Sequence, residues 1–104
     1  MAVIENASAE RYELHVDGVL AGYVDYRDDS TGRGLTHTEV DPSLEGRGLG
    51  GRLVRGALDD LVERRLRLIP ICPYVRSYLE RHPQYLELVD APLRESFDLP
   101  DPPG

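Results

Sequence analysis

A cluster of glycines near the middle of the chain constrains its fold more than any other feature. Residues 45–52 read Glu-Gly-Arg-Gly-Leu-Gly-Gly-Arg. Within this cluster, at Leu49, apolar residues begin to recur at helical spacing, and they continue to about Arg65. The pattern predicts an amphipathic helix that opens inside a glycine-rich loop, where another molecule can approach the backbone closely.

Before this helix the sequence favours β-strands. Residues 11–16 alternate apolar and polar side chains, which predicts a strand with one buried face. A second strand-like run covers residues 19–26. Asp17-Gly18 between the two runs is typical of a type I′ hairpin turn, which needs positive φ. The polar, glycine-containing residues 27–34 are interpreted as a loop.

A third strand is predicted from Leu35 to Val40. Pro42 follows it closely and cannot donate to a strand ladder, so the strand is expected to end there. Simple alternation along the strand places Leu35, His37 and Glu39 on one face and the residues between them on the other.

The part of the chain after the helix is less regular. An apolar run flanked by breakers predicts a short buried strand over residues 66–72, and Pro70 within it indicates that one edge is unpaired. A shorter helix is predicted over residues 75–82, and a last strand over residues 85–89. Residues 91–104 are rich in proline and acidic residues, so we expect much of this segment to be a disordered tail.

These elements together predict the α/β class, with a mixed, largely antiparallel sheet and two main helices. A chain of 104 residues has room for one small domain. The expected domain covers residues 1–90, and the Pro-rich acidic tail covers residues 91–104.

The charge balance narrows the classes of partner. The chain has 12 basic and 19 acidic residues and a formal net charge of −7. This balance argues against nucleic acid as the main partner, because phosphate backbones are bound by basic surfaces. It is compatible with a cationic substrate such as an amine, although an acidic surface more often serves solubility alone.

Cysteine usage and the first residues set the expected compartment. Cys72 is the only cysteine and cannot form an internal disulfide. The start of the sequence lacks a basic segment followed by an apolar run, so no signal peptide is expected. No apolar stretch approaches the roughly 20 residues of a membrane span. The cytoplasm is therefore the expected location.

The glycine cluster has the composition of a phosphate-binding loop. The N-terminus of a helix presents free N–H groups and the positive end of a dipole, and glycines let a ligand come close. Arg47 and Arg52 add cationic donors. The spacing differs from that of the dinucleotide fingerprint and of the P-loop. A glycine-rich turn into a helix with no ligand is the alternative interpretation.

The same residues resemble a known family. Val40-Asp41-Pro42 followed by residues 45–50 is similar to the pyrophosphate-binding motif of the GNAT superfamily of N-acetyltransferases, usually written Gln/Arg-x-x-Gly-x-Gly/Ala. Its two glycines correspond to Gly48 and Gly50, whereas Glu45 departs from the first position. The resemblance implies acetyl-CoA as cosubstrate, no metal, and binding mainly through backbone amides. The residues it assigns to CoA are Val40, Gly46, Arg47, Gly48, Leu49, Gly50, Gly51 and Arg52.

The resemblance extends over about residues 10–90. The segments Ile71-Cys72-Pro73-Tyr74-Val75 and His82-Pro83-Gln84-Tyr85 are similar to those of the minimal GNAT-like acetyltransferases of about one hundred residues, which lack the helices between the first two strands. The resemblance implies two strands that splay apart and admit the pantetheine arm, which would hydrogen-bond the backbone around Glu39 and Val40. Pro70 suits the partner strand, because it has no N–H to satisfy.

The resemblance also suggests catalytic groups. Transfer of an acetyl group to an amine needs a base, and the leaving thiolate must be protonated or stabilised. His37 is the first candidate base, because minimal members carry a His at this place and its unperturbed pKa is about 6.5. Glu39 could orient His37 or act as a base itself. A structural or exposed His and a surface carboxylate are the alternatives.

Cys72 and two tyrosines complete the candidate set. Cys72 either lines the site near the thioester, forms an acetyl-cysteine, or is only a small buried hydrophobe. Many GNAT enzymes use a helical Tyr as the acid for the CoA thiolate. Leu79 occupies that place here, and Tyr78 lies one residue early. Tyr74 is a candidate for the pantetheine path, and Arg81 for a phosphate contact.

Three functions are compatible with these residues. The first is acetyl-CoA-dependent N-acetyltransfer to an amine of a protein, peptide or small molecule. The second is a non-catalytic module that binds CoA or acyl-CoA. The third is a small interaction domain in which the glycine loop is only structural. No nucleic acid or membrane partner is expected, and the sequence is compatible with a monomer or a dimer.

Overall fold

The computed structural model describes residues 2–104, which form one five-stranded mixed sheet with helices packed against it. The strands stand in the order β1-β2-β3-β4-β5, with β1 to β4 antiparallel and β5 parallel to β4. This arrangement confirms the predicted α/β class. The elements are β1 (Val3–Asn6), β2 (Arg11–Val16), β3 (Val19–Asp29), β4 (Gly32–Val40), α1 (Leu49–Arg64), β5 (Leu68–Pro70), α2 (Pro73–Arg81) and α3 (Ala91–Ser96).

The hydrophobic core lies between one face of the sheet and the helices. Tyr12, Val24 and Thr38 are direct neighbours across three strands on this face. Tyr12 donates a hydrogen bond of 2.6 Å to Asp60, which places α1 over them. The opposite face carries mostly half-buried or exposed polar side chains, together with the buried Glu13, which is 7% exposed. The fully buried large residues of the core include Tyr12, Leu14, Leu35, Leu53, Leu58, Leu61, Leu68, Leu79 and Leu86.

The Asp17-Gly18 hairpin is confirmed. Both residues have positive φ, 51° and 78°, as a type I′ turn requires, and Val16 pairs with Val19 across it. The edge strand β1 was not predicted, because its four residues are too few to show a period. It is held partly by α1, since Val3 packs so tightly on Gly56 that a β-carbon there would lie 2.5 Å from Val3 Cβ.

The predicted loop over residues 27–34 is wrong. β3 and β4 continue through it and meet at a two-residue turn, in which the Asp29 carboxylate accepts hydrogen bonds from the Thr31 N–H and hydroxyl at 2.7 and 2.6 Å. The prediction failed because polar residues are typical of exposed loops, whereas Arg33 is a buried charge within a strand. It is 6% exposed and is paired with Asp28 at 2.7 Å.

The face assignment of the third strand also needs correction. Asp25 and Tyr26 are adjacent in β3, but they pair with His37 and Leu35, so Thr36 is an extra residue in β4. This bulge breaks the alternation. Leu35 is therefore fully buried in the core, whereas His37 and Glu39 lie on the opposite, exposed face.

The predicted last strand is wrong as well. Pro83–Leu88 form a 3₁₀ helix, which Pro83 favours because its fixed φ suits a first helical position. The apolar residues of this segment are buried against α1 and α2 instead of joining the sheet. Tyr85 marks the contact, since its hydroxyl donates to Asp59 of α1 at 2.5 Å.

The C-terminal segment has more structure than expected. α3 forms within it, Phe97 packs against the core, and Leu99 is 8% exposed. Arg94 donates to the Val89 carbonyl and so ties the segment to the preceding turn. The division of the chain at residue 90 stays a prediction. Within residues 2–104, none of the helices has the length and apolarity to cross a bilayer.

Candidate active site

The site begins where β4 and β5 separate. Their pairing covers only three residue pairs and stops at Leu35 and Pro70. One further hydrogen bond, from the Cys72 N–H to the Leu35 carbonyl at 2.9 Å, closes the contact. The chain then turns into α2, while β4 continues to Val40 paired only with β3 among the described strands. The expected splay is confirmed, and it leaves one backbone edge of β4 available.

A groove of about 400 Å³ lies along this edge and reaches the first turn of α1. Six of the residues that the sequence assigned to CoA line it. Arg47, Gly51, Arg52 and Arg81 are not among the lining residues, and Arg81 is the last residue of α2, about 10 Å along the helix axis from Tyr74. The lining residues are Thr38, Glu39, Val40, Pro42, Leu44, Glu45, Gly46, Gly48, Leu49, Gly50 and Tyr74.

The glycine loop gives α1 an open start. Gly46 and Gly48 have φ of 84° and 70°, which other residues adopt only with strain, and a β-carbon at either would meet nothing within 4 Å. Gly48 is the N-cap of α1 and supplies no side-chain hydrogen bond to the first turn. The helix therefore begins with N–H groups that lack a side-chain cap, an arrangement suited to an anionic ligand.

Of the two glycines that follow, Gly50 is required by the packing of α2, whereas Gly51 leaves room for a β-carbon. A β-carbon at Gly50 would lie 2.5 Å from the Tyr74 hydroxyl oxygen, and one at Gly51 would lie 3.7 Å from the Tyr78 ring. Tyr74 is 41% exposed and forms a wall of the groove. The glycine cluster thus combines a loop open to a ligand with a helix surface that lets α2 come close.

His37 and Glu39 are brought together on the exposed face. The distance from His37 Nε2 to Glu39 Oε2 is 3.2 Å, and both side chains are more than half exposed. The ring of Tyr23 lies 6.3 Å from the imidazole, centroid to centroid. Glu39 also lines the groove. The pair can therefore exchange a proton with a molecule that approaches β4 from the exposed face.

Cys72 lies at the apex of the splay. It is 4% exposed and occupies the N-cap position of α2 without a side-chain hydrogen bond to the helix. Its Sγ is 3.5 Å from the hydroxyl oxygen of Thr38, which lines the groove. The thiol is thus separated from the groove by one side chain.

Tyr78 belongs to the core and not to the groove. Its ring is 5% exposed, stacks on His82 at a centroid distance of 4.1 Å and lies 6.2 Å from the ring of Tyr85. Burial raises its pKa above the ordinary value. Leu79 beside it is fully buried. The tyrosine that lines the groove is Tyr74.

Sequence reasoning missed several residues of the site. Thr38 and Leu44 line the groove, and nothing in their local pattern marks them, whereas Pro42 was part of the motif but was not assigned to the site. Asp41 fixes the loop entrance, because its carboxylate accepts from the Ser43 N–H at 2.9 Å and from the Ser43 hydroxyl at 2.8 Å. The Asp-Pro-Ser sequence is typical of such an Asx turn and could have indicated this role.

Comparison with known proteins agrees with this geometry. The family model described as GCN5-related N-acetyl-transferase matches residues 11–88. Protein NATD1 of Homo sapiens is 42% identical over 55 residues, which are 51% of this chain and 49% of that protein. NATD1 of Mus musculus is 42% identical over 55 residues, which are 51% of this chain and 50% of that protein. NATD1 of Danio rerio is 37% identical over 57 residues, which are 53% and 52% of the two chains. The chain spans about half the length of these relatives. The family match covers strands β2 to β5, both main helices and the groove, and the chain belongs to the GCN5-related N-acetyltransferase family.

Proposed function

We propose that the chain binds acetyl-CoA in the groove between β4 and the start of α1 and transfers the acetyl group to an amine. One observation carries the proposal. The available backbone edge of β4 and the uncapped first turn of α1 line the same cavity of about 400 Å³. CoA carries amides in its pantetheine arm, which can hydrogen-bond the strand edge. Its phosphates suit the N-terminus of α1.

The phosphate end lies at the glycine loop. The N–H groups of residues 49–51 belong to the first turn of α1, where the helix dipole favours negative charge. The conformations of Gly46 and Gly48 keep side chains out of this space. Arg47 and Arg52 are outside the lining and would contribute charge from its margin. Glu45 lines the groove as a carboxylate, so phosphate binding there depends on the backbone donors.

The reacting end lies near Thr38 and Cys72. Acetyl-CoA would supply an activated acyl group, and the amine nitrogen would form a bond to its carbonyl carbon while the carbon–sulfur bond breaks. The proton of the amine passes to His37, and Glu39, 3.2 Å from His37 Nε2, stabilises the imidazolium. CoA leaves as a thiolate, and the groove residue suited to donate to it is Tyr74, because Tyr78 is buried in the core.

Cys72 has two possible roles within this function. Its contact with Thr38 and its place at the splay suit a residue that orients the acetyl group. A covalent role would add an acetyl group of about 42 Da to its sulfur before the amine reacts. Intact mass after incubation with acetyl-CoA separates the two roles, since only the covalent one gives an adduct that Cys72→Ala abolishes.

Calorimetry with CoA and a coupled assay of CoA release test the proposal together. Binding with turnover of an amine from a panel of peptides, polyamines and small amines is the expected result. Absence of CoA binding at millimolar ligand would contradict it. The panel also decides whether the acceptor is a protein or peptide amine or a small molecule.

A second candidate function is a CoA- or acyl-CoA-binding module without turnover. Two observations favour it. The fully buried Leu79 occupies the place of the tyrosine that many GNAT enzymes use as the acid for the CoA thiolate, and Tyr78 is buried as well. This candidate predicts CoA binding with no CoA release in the presence of any amine of the panel. The two functions are therefore separated by the same pair of measurements.

A further inference from the structure

The end of β5 is fixed by a single residue of α2. Arg76 donates from its Nη1 to the Pro70 carbonyl at 2.9 Å and to the Ile71 carbonyl at 2.6 Å. The backbone N–H of the same residue donates to the Cys72 carbonyl at 3.1 Å. Three successive carbonyls at the splay are thus satisfied by one arginine.

These bonds matter because β5 ends where the edge of β4 becomes unpaired. Buried carbonyl groups need hydrogen-bond partners, and a strand that leaves a sheet loses those of its neighbour; Pro70 and Cys72 are buried here, whereas Ile71 is 46% exposed. Arg76 supplies them from the side of α2, so residues 70–72 need no further partner from β4. Cys72 is also held to β4, by the hydrogen bond from its N–H to the Leu35 carbonyl at 2.9 Å and by the contact of its Sγ with the Thr38 hydroxyl at 3.5 Å.

The guanidinium of Arg76 is in turn covered by the C-terminal segment. Its central carbon lies 5.1 Å from the centroid of the Phe97 ring, within the range of a cation–π contact. Phe97 packs against the core, and its N–H donates to Leu93 of α3 at 2.9 Å. The segment beyond residue 90 therefore reaches the splay through this one contact.

We propose that Arg76 is a positioning residue for Cys72 and that Phe97 holds Arg76 in place, so that the C-terminal segment contributes to the active site. The part of this inference that concerns transfer rests on the proposed function. The part that concerns the placement of the thiol does not, and it is measured separately.

Cys72 is the only cysteine, so labelling with iodoacetamide reports on this thiol alone. Because Cys72 is 4% exposed, we expect Arg76→Met and Phe97→Ala to label severalfold faster than wild type. Arg76→Lys is expected to restore slow labelling, since one nitrogen makes both side-chain bonds in the native protein. Arg55→Met, at a 70% exposed side chain of α1, and Leu93→Ala, in the same C-terminal segment, are the matched controls.

In the transfer assay, Arg76→Met and Phe97→Ala are expected to lower kcat about tenfold or more, because small misplacements of a reacting group have large effects. The KM for acetyl-CoA and the Kd for CoA should stay close to wild type. Unchanged labelling and unchanged kcat in folded Arg76→Met and Phe97→Ala would overturn the inference. If Arg76→Met does not fold, the labelling rates and kcat values of Phe97→Ala and Phe97→Leu test the inference instead. A wild-type protein without turnover would refute the proposed function, and the labelling rates would still test the placement of Cys72.

Discussion

The Tyr74 hydroxyl oxygen lies 2.5 Å from the position that a β-carbon on Gly50 would occupy. A side chain at residue 50 would therefore have to displace Tyr74, because the Tyr74 hydroxyl fills that space. The neighbouring Gly51 differs, since a β-carbon there would be at an ordinary contact distance of 3.7 Å from Tyr78. Of these two adjacent glycines, only Gly50 is required to be glycine by its contact with α2.

Gly50→Ala is expected to displace Tyr74 into the groove or out of it. Tyr74 is 41% exposed and can move, so the free energy of unfolding should change little. The shape of the groove changes more, and we expect the affinity for CoA to fall about tenfold, or about 1.4 kcal/mol. Calorimetry measures the affinity, and urea unfolding measures the stability.

Gly51→Ala is the matched control for this substitution. Alanine in a helix is more stable than glycine by about 0.5–1 kcal/mol, and the space at residue 51 admits it. This variant should therefore be slightly more stable than wild type and keep its affinity for CoA. Equal loss of affinity in both variants would mean that the glycines contact the ligand directly and that Tyr74 is not the cause.

His37→Gln is expected to keep the affinity for CoA and to lower kcat by about 10² or more, the usual contribution of a general base. The imidazole is on the exposed face and outside the lining of the groove, so the proposed CoA binding should not depend on it. His15→Gln is a suitable control, because His15 lies on the same face of the sheet and pairs with Glu13. A parallel loss of CoA affinity in His37→Gln would indicate a folding defect instead of a lost base.

Features set by local chemistry were predictable from the sequence. The Asp17-Gly18 turn follows from the positive φ that both residues adopt, and α1 follows from apolar residues at helical spacing. The glycine loop could be placed before α1 because the helical spacing of apolar residues begins within it, at Leu49. The family was indicated by the resemblance of residues 40–42, 45–50, 71–75 and 82–85 to its motifs.

Features set by tertiary contacts were not predictable. The extra residue Thr36 in β4 does not alter the polar and apolar pattern around it, yet it moves Leu35 and His37 to opposite faces. Tyr85 looks like a strand residue, but its hydroxyl is held by Asp59 of α1. Arg76 is an ordinary helix residue in sequence, and only the fold brings it to the carbonyls of Pro70 and Ile71.

Arg33→Met is expected to destabilise the domain by about 1–3 kcal/mol, because Glu5 and the Tyr12 hydroxyl lose a buried donor, whereas the Asp28 side chain is half exposed and can bind water. The guanidinium donates to Asp28 at 2.7 and 2.9 Å, to Glu5 at 3.1 Å and to the Tyr12 hydroxyl at 2.8 Å. Urea unfolding measures the loss. Arg27→Met, at an exposed position of β3, should change stability by less than about 0.5 kcal/mol. Similar values for the two variants would show that the buried network contributes little.

The stability of the domain should fall as pH rises from about 10 to about 12. Burial and the hydrogen bond to Asp59 raise the pKa of Tyr85 to about 12, and burial and the contact with Glu5 raise the pKa of Tyr26 to about 12. An unfolded tyrosine has a pKa of about 10. Below pH 10 both states hold the proton, so the stabilisation is fully present. Above it the unfolded state releases the proton first, and the stabilisation is lost as pH passes through the folded pKa.

Tyr85→Phe tests this dependence. At pH 8 the variant should be less stable than wild type by about 1 kcal/mol, because the hydrogen bond to Asp59 is lost. Between pH 10 and 12 its stability should fall less steeply, since its unfolding releases about one proton fewer. The two curves of unfolding free energy against pH are therefore expected to approach each other above pH 10 and to cross before pH 12, because a pKa raised from about 10 to about 12 costs wild type more than about 1 kcal/mol over this range. Curves that stay parallel across this range would show that Tyr85 keeps an ordinary pKa in the folded protein.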